Sequence, residues 1–365
     1  MSESSLTVQV PGKLMIAGEF AVLENYQTLV AMAVDRFVYA TIDDSRDNRL
    51  TLESYGLYKM PWAYEARAVH VKTADKRTRF VAEAMTTVYT YLQEQGITPE
   101  PFHLAVRSEL ADASGRKYGL GSSAAVVTSV VAAMLHRFWP EEPADALIFK
   151  LAALSHVMTQ KGGSGADVAA SSFGGWLEYA SFQASWLREA STRFATISEL
   201  VNADWPYFSA QPLELPDTIY LCIGWTGSPA STPKLVDKIL RLQESDPDLY
   251  QQFLTDSADA VGRFTRGIRE ADPALIMDGA RQNRQALAAV GRQAGAPVET
   301  PLLTTLCDLA EAHGGAGKPS GAGGGDCGIA FMPSKAQADA LMAAWEEAGI
   351  QPLALRPNAT GATRI

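Results

Sequence analysis

Cysteine and histidine are scarce in this sequence, and neither is arranged as a metal or disulfide framework. The 365 residues include three cysteines and five histidines. Cys222, Cys307 and Cys327 are odd in number and lack CxxC spacing, which argues against a disulfide scaffold or a zinc site and fits a reducing compartment. No histidine stands in an HxxxH pair or a Ser/His/Asp arrangement, so metal-ligand and hydrolase chemistry are not indicated.

Long apolar runs and an excess of positive charge are also lacking. The longest nearly apolar stretch, Ala124–Leu135, is too short to span a bilayer, and MSESSLTVQV has no signal-peptide character. The formal net charge of −10 argues against a general nucleic-acid binder, because phosphate-backbone binding relies on a positive surface. We therefore expect a cytoplasmic protein, monomer or homodimer, with no nucleic-acid or membrane partner.

Helical and strand patterns are mixed along the chain without strict alternation, which favours an α+β fold. The length favours about two domains, and the Pro-containing stretch Trp205–Pro216 predicts the boundary, giving 1–212 and 213–365. Strands are predicted at Leu6–Val10, Phe37–Ile42, Phe102–Val106, Thr218–Trp225, Gly328–Met332 and near Pro352–Leu355. Helices are predicted at Ser122–Phe138, Asp145–Thr159, Pro301–His313 and Lys335–Glu347.

Three small-residue loops are spread across the whole chain. They are Pro11–Glu19 (PGKLMIAGE), Lys117–Ala125 (KYGLGSSAA) and Lys318–Cys327 (KPSGAGGGDC). Glycine loses the most backbone entropy on ordering, so such density is accepted where the backbone must approach a ligand closely, most often a phosphate. Loops near the start, middle and end predict one nucleotide site assembled from distant segments.

The second and third loops each allow two interpretations on their own. In the second, Ser122 and Ser123 follow a tight turn, where they either cap an ordinary helix or bind phosphate oxygens and magnesium at its positive end. The third loop, between a predicted helix and strand, is either a flexible linker or a nest of backbone N–H groups for an anion.

Individual polar residues leave the same choice open. Lys13 is either a solvated surface charge or a charge directed inward by the apolar residues that follow it. Asp167, inside KGGSGADVAASSFGG, is either a helix N-cap or a carboxylate aimed at a substrate, as phosphoryl transfer requires. In GWTGSPAST, Ser228, Ser231 and Thr232 are either turn residues or further phosphate donors.

Together and in this order, the three loops resemble the signature of the GHMP small-molecule kinases. Within that family, KYGLGSSAAV, IGWTGSPAST and SGAGGGDCGI closely resemble phosphomevalonate kinases of Gram-positive bacteria. The segment around the acid, GGSGADVAAS, lacks the His, Pro and Asn of the HGxPSGxDN-like stretch typical of mevalonate kinases. The resemblance implies a two-domain GHMP fold with the active site in the cleft between domains. It also implies ATP-dependent phosphorylation of phosphomevalonate with Mg²⁺.

The resemblance also implies roles for particular residues. Lys13 and Asp167 would be catalytic, with Asp167 acting on the acceptor phosphate and Lys13 stabilising charge beside it. The nucleotide phosphates would be held by Gly119, Leu120, Gly121, Ser122, Ser123 and Ala124, with Ser122 or Ser123 also holding Mg²⁺. Substrate-binding candidates are Lys13, Lys117, Ser164, Ser231, Thr232, Ser320, Gly321, Ala322 and Gly323. The metal-binding Glu of mevalonate kinases is replaced by His156.

Three rival functions remain at this point. Mevalonate kinase and diphosphomevalonate decarboxylase are rivals within the enzyme class. A GHMP-fold protein that binds nucleotide without catalysis is a rival of another class. Retention of both Lys13 and Asp167 disfavours that last alternative, because a binder does not need them.

Overall fold

The chain builds two β-sheets of different size, each covered by helices. The computed structural model describes residues 5–112, 114–228 and 232–365. The strands are β1 (Leu6–Ala17), β2 (Thr28–Asp44), β3 (Arg49–Leu52), β4 (Leu57–Glu65), β5 (Ala68–Val71), β6 (Phe102–Ser108), β7 (Trp176–Ala180), β8 (Ser209–Leu213), β9 (Tyr220–Trp225), β10 (Ala316–Pro319), β11 (Cys327–Met332), β12 (Gln351–Pro352) and β13 (Thr363–Arg364).

Helices supply most of the remaining ordered chain. They are α1 (Arg79–Glu94), α2 (Ser122–Phe138), α3 (Asp145–Gln160), α4 (Ala166–Phe173), α5 (Ala184–Arg193), α6 (Ile197–Asn202), α7 (Thr232–Leu240), α8 (Leu242–Ser245), α9 (Pro247–Glu270), α10 (Pro273–Gln293), α11 (Pro301–Ala312) and α12 (Lys335–Glu347). Within the described ranges, none of them is both long and apolar enough to cross a membrane. The mixture of helix and strand confirms the predicted α+β class.

The first sheet has the strand order β13-β1-β2-β6-β3-β4-β5, and β7 joins β2 to β8. All its pairs are antiparallel except β3 with β6. Helices α2 and α4 pack against β1 and β2, and α1 and α3 pack behind them. The Ala- and Val-rich run in α2 is buried along most of its length, because small side chains let the helix lie close to the sheet.

The second sheet has the order β10-β11-β9-β12 and is antiparallel throughout. Helices α11 and α12 pack on it, and the long pair α9 and α10 connects it to the first sheet. The chain changes sheet between Leu213 and Tyr220. Its tail then returns, because Pro357 bridges Val34 and β13 pairs with β1.

Two sequence-based expectations about strands are corrected. The first small-residue loop is strand as far as Ala17, with register shifts after Pro11 and Met15. The strand expected near Pro352–Leu355 covers only Gln351–Pro352. Proline has no N–H to donate to a ladder, which shortens this edge strand.

Candidate functional site

A cavity of about 670 Å³ lies where the three motif loops meet between the two sheets. Of the residues predicted from sequence, it is lined by Lys13, Lys117, Gly119, Gly121, Ser122, Ser123, Ser164, Asp167, Ser320, Gly321, Ala322 and Gly323. One cavity is thus lined by residues from the N-terminal strand, the middle loop and the C-terminal hairpin. A volume of this order is typical of small-molecule sites.

Strand β1 explains why Lys13 faces this cavity. Leu14 and Ile16 are buried in the core, whereas Lys13 and Met15 alternate with them and line the cavity. This is the period-two alternation of a strand. Lys13 is half-buried, and its Nζ donates a hydrogen bond to the carbonyl of Gly119 at 3.1 Å. The alternative of a freely solvated surface lysine is therefore wrong.

The second loop opens α2 with Gly121 as its N-cap. Gly121 has φ +76°, and a Cβ there would lie 2.8 Å from Cγ of Lys13, so glycine is required both for conformation and for passage of the lysine. No side-chain hydrogen bond caps the helix, so the ordinary serine N-cap interpretation is wrong. Among the described residues, the N–H groups of Gly121, Ser122, Ser123 and Ala124 have no hydrogen-bond partner. Free N–H groups at a helix N-terminus form an anion-binding site.

Asp167 lies in the first turn of a second helix, α4, at the same cavity. The N-cap is Gly165 and makes no side-chain cap bond, so the N-cap interpretation of Asp167 is wrong. A Cβ on Gly165 would meet Cε1 of Phe182 at 2.4 Å. The Asp167 carboxylate accepts the N–H of Val168 at 3.0 Å. Lys13 and Asp167, both described, line the cavity without forming an ion pair with each other.

The segment before α4 is fixed by two hydroxyl groups beneath it. Tyr179 Oη donates to the Ser164 carbonyl at 2.6 Å and Ser181 Oγ donates to it at 2.9 Å. Burial, with a contribution from the charge of Asp167, raises the pKa of Tyr179 well above its usual value. Tyr179 therefore stays a protonated donor, and Ser164 keeps one backbone position at the cavity wall.

The third loop is the turn of the β10–β11 hairpin, so it lies between two strands and not between a helix and a strand. It is therefore no flexible linker. Ser320 Oγ donates to the carbonyl of Met15 at 2.8 Å, which turns the hydroxyl towards β1. Gly324 N–H donates to the Val298 carbonyl at 2.8 Å. In the described part of the chain, the N–H groups of Ala322 and Gly323 have no hydrogen-bond partner. The expected nest of N–H groups for an anion is therefore matched by these two residues rather than by the whole third loop.

Some predicted residues lie elsewhere. Leu120 and Ala124 are buried in the core, and neither is among the residues that line the cavity. Thr232 begins α7, whose next residue Pro233 lines the cavity. Ser231 lies outside the described residues.

Sequence reasoning assigned no site role to several residues that the structure brings here. Glu19 and Asp326 line the cavity, and Gln160 and Lys161 lie on its wall at the end of α3. His156 hydrogen-bonds Ser123 Oγ through Nε2 at 3.1 Å, so it supports that hydroxyl from behind. The two residues lie on neighbouring helices, a pairing that no local sequence pattern indicates.

Comparison with known proteins then decides the family. The sequence pattern of the GHMP kinases N-terminal domain matches residues 79–175, and that of the C-terminal domain matches residues 264–351. A phosphomevalonate kinase of Streptomyces sp. (strain CL190) is 34% identical over 372 residues, covering 98% of this chain and 99% of the relative. The chain belongs to the GHMP kinase family.

Two solved structures are similar to almost the whole of this chain. A protein of Listeria innocua matches with a TM-score of 0.93 and 37% identity, covering 99% of both chains. The Streptococcus pneumoniae phosphomevalonate kinase, in complex with phosphomevalonate and AMPPNP, matches with a TM-score of 0.82 and 26% identity over 96% of this chain and 99% of that one. The predicted GHMP fold and the resemblance to phosphomevalonate kinases are both confirmed.

Proposed function

We propose that this GHMP kinase transfers the γ-phosphoryl group of ATP to the phosphate of (R)-5-phosphomevalonate, giving (R)-5-diphosphomevalonate and ADP. The observation that carries the proposal is one cavity containing two helix N-termini, Lys13 and Asp167. The Streptomyces and Streptococcus enzymes, which match almost end to end, support this acceptor.

Two polyanions must meet in a protein whose net charge is −10, so the cavity itself has to supply positive potential. Lys13, Lys117 and Lys161 line it, and Lys117 and Lys161 are exposed at its rim. The N-terminal ends of α2 and α4 add the positive poles of two helix dipoles. Together these groups steer and hold phosphate locally despite the negative surface.

The free N–H groups and Lys13 would each have a role in phosphoryl transfer. The N–H groups of Gly121–Ala124 would bind the nucleotide phosphates, and those of Ala322 and Gly323 would stabilise charge on the transferring group. Lys13, fixed to the Gly119 carbonyl, would offset the negative charge between donor and acceptor. Positioning then supplies much of the rate, as in phosphoryl transfer generally.

Asp167 would orient the acceptor and need not act as a strong base. A phosphate is already ionised at neutral pH, so its oxygen attacks the γ-phosphorus while the bond to the ADP oxygen breaks. No proton has to be removed from the nucleophile. This distinguishes the proposed acceptor from an alcohol such as mevalonate, whose hydroxyl must lose a proton.

The oxygen groups present fit Mg²⁺. Within the described residues there is no cluster of three His, Cys, Asp or Glu side chains for a protein-only metal site. Ser122, Ser123 and Asp167 instead supply hydroxyl and carboxylate oxygens at one cavity, the donor set that Mg²⁺ takes together with substrate phosphates. When bound, the ion neutralises phosphate charge, and Ser122 or Ser123 would hold it.

We also propose the remaining features of the protein's organisation. The division into 1–212 and 213–365 falls one residue before the end of β8 and is supported by the change of sheet between β8 and β9, although the tail returns to the first sheet. A cytoplasmic location and a monomeric or homodimeric state are proposed with it. The proposed substrate-binding roles of Lys117, Ser164 and Thr232 rest on their placement at or beside the cavity.

The test is ADP release from purified protein with Mg-ATP, offering mevalonate, phosphomevalonate and diphosphomevalonate separately. Turnover with phosphomevalonate alone is the expected result. Turnover only with mevalonate would replace the proposed acceptor, because the hydroxyl would then be the nucleophile. ATP binding without turnover on any of the three would favour another GHMP substrate or a non-catalytic binder.

A further inference from the structure

Glu19 and Lys318 form a buried ion pair beside the cavity. Their Oε1 and Nζ atoms lie 2.6 Å apart, and the side chains are 3% and 0% exposed. Glu19 ends the first motif segment and Lys318 begins the third. Moving two charged groups from water into the protein interior costs free energy. A protein in which apolar residues replace a buried ion pair is often no less stable. Stability alone therefore gives little reason for a charged pair at this place.

The hydrogen bonds of Glu19 reach three separate elements. Besides Lys318, Oε1 accepts the N–H of Gly321 at 3.2 Å. The side-chain amide of Asn283 is oriented so that both its oxygen and its nitrogen have partners, and its nitrogen donates to Glu19 Oε2 at 3.0 Å. Lys318 Nζ also donates to the Pro319 carbonyl at 2.6 Å. One carboxylate thus ties the end of the first motif to β10, to the turn that follows β10 and to α10.

This arrangement fastens the third loop on both sides of its free N–H groups. Gly321 is held by Glu19 and Gly324 by the Val298 carbonyl. Between these anchors, Ala322 and Gly323 line the cavity, with N–H groups that have no partner among the described residues. A donor pair held in place before the ligand arrives needs no reorganisation during the reaction. The ammonium of Lys318 also compensates the carboxylate beside a site for polyanions.

We propose that Glu19 is a positioning residue: its carboxylate, neutralised by Lys318, presets the Ala322–Gly323 nest for the transferring phosphoryl group. The inference rests on the proposed function, since the nest matters for rate only if phosphoryl transfer occurs there. It assigns Glu19 no contact with the reacting atoms. Its effect acts through the backbone of Gly321.

Two double variants separate this role from simple stability. Changing one partner alone would leave a buried charge unpaired, so both charges are removed together. Glu19→Leu with Lys318→Met removes the acceptor for Gly321, whereas Glu19→Gln with Lys318→Met keeps an amide oxygen in its place. We expect the Leu/Met variant to lose about 100-fold in kcat, with KM values for both substrates within about threefold. The Gln/Met variant should recover most of that loss.

A stability-matched control comes from Leu341→Ala in α12, a fully buried position that does not line the cavity. This variant should lower the melting temperature while kcat at 25 °C stays near the parent value. Equal kcat in the folded Leu/Met and Gln/Met variants would overturn the proposal. So would kcat values that simply follow melting temperature across all three variants.

Amide hydrogen exchange in the free protein gives a readout that does not depend on the acceptor. In the parent, the Gly321 amide should exchange more slowly than those of Ala322 and Gly323, and the Leu/Met variant should lose that difference. Equal exchange of the three amides in the parent would overturn the proposal even if a variant fails to fold. If the parent turns over a different acceptor, the proposed function is wrong, and the kinetic comparison is made with that acceptor.

Discussion

At the residue scale, the chemistry depends on whether Asp167 acts in the transition state or only binds. Asp167→Asn keeps the size of the side chain and an oxygen that can accept the Val168 N–H, but removes the charge. We expect kcat to fall about 10²- to 10⁴-fold, with KM for the acceptor changed far less. Steady-state kinetics with varied acceptor measure both constants.

The matched control for Asp167 is Asp237→Asn. Asp237 is an exposed carboxylate of α7 that lines the same cavity. Removing one negative charge at the rim tests whether charge alone alters phosphate binding. A rise in KM with unchanged kcat in the Asp167 variant would show that this residue is a binding group and not a catalytic one.

His156 gives a second prediction, because its imidazole contacts Ser123, one of the two residues proposed to hold Mg²⁺. Gln at this position reaches the place of Nε2, whereas Leu cannot make the hydrogen bond to Ser123 Oγ. A net hydrogen bond is worth about 1 kcal/mol, or roughly fivefold in an equilibrium constant. His156→Leu should therefore raise the Mg²⁺ concentration for half-maximal activity about fivefold.

His156→Gln is the control for that experiment and should stay closer to the parent. Titrating MgCl₂ at saturating acceptor and a fixed total ATP concentration measures the difference. An identical Mg²⁺ response of the Leu and Gln variants would remove the reason to place the ion at Ser123.

At the element scale, Gly121 at the start of α2 is constrained in two ways. Its φ is positive, and the Lys13 side chain passes next to it. Gly121→Ala should cost about 1 kcal/mol for the left-handed conformation and more for the contact with Lys13. Since Lys13 must then move, kcat should fall at least tenfold. Urea denaturation and steady-state kinetics on one preparation measure both effects.

Gly96→Ala isolates the first constraint. Gly96 has φ +77°, close to the +76° of Gly121, but a Cβ there meets nothing within 4 Å. Both variants therefore share the backbone strain, and only Gly121→Ala disturbs the lysine. If the two variants lose the same stability and neither loses activity, Lys13 tolerates displacement and its proposed role weakens.

The same element shows what a sequence can predict. Ser122–Phe138 was predicted with the bounds that the structure has, because an uninterrupted Ala/Val run after a glycine turn specifies a helix locally. Strand β10 was missed, since Ala316–Pro319 contains glycine and proline and becomes a strand only by pairing with β11. The first motif was predicted as a loop because its glycines masked the alternation of Leu14 and Ile16.

The candidate site shows the same difference between features set by local sequence and features set by the tertiary fold. Lys13 and Asp167 were predicted because each stands inside a recognisable motif. The acceptor for Gly321 was not, although Glu19 and Lys318 stand at the ends of two motifs. That pairing joins residues 299 positions apart in the chain, and contacts of this range depend on the tertiary fold rather than on local pattern.

At the scale of the whole molecule, two histidines link folding to pH. Burial lowers the pKa of His103 and of His136 below the usual 6.5. Between the lowered value and 6.5, the unfolded chain binds more protons than the folded one, so stability rises with pH in that window. The stability that the two neutral histidines contribute to the folded state is fully present above pH 6.5. It is lost as the pH falls towards their lowered pKa values.

Replacing both histidines by glutamine should therefore flatten the fall in melting temperature between pH 7.5 and pH 5.5. Glutamine keeps a neutral polar group at each position, including a partner for Thr51, whose hydroxyl lies 2.9 Å from His103 Nε2. Scanning calorimetry across that range measures the slope, and His70→Gln, at an exposed position on β5, controls for loss of an imidazole. An unchanged slope in the double variant would assign the acid sensitivity of the fold to its carboxylates instead.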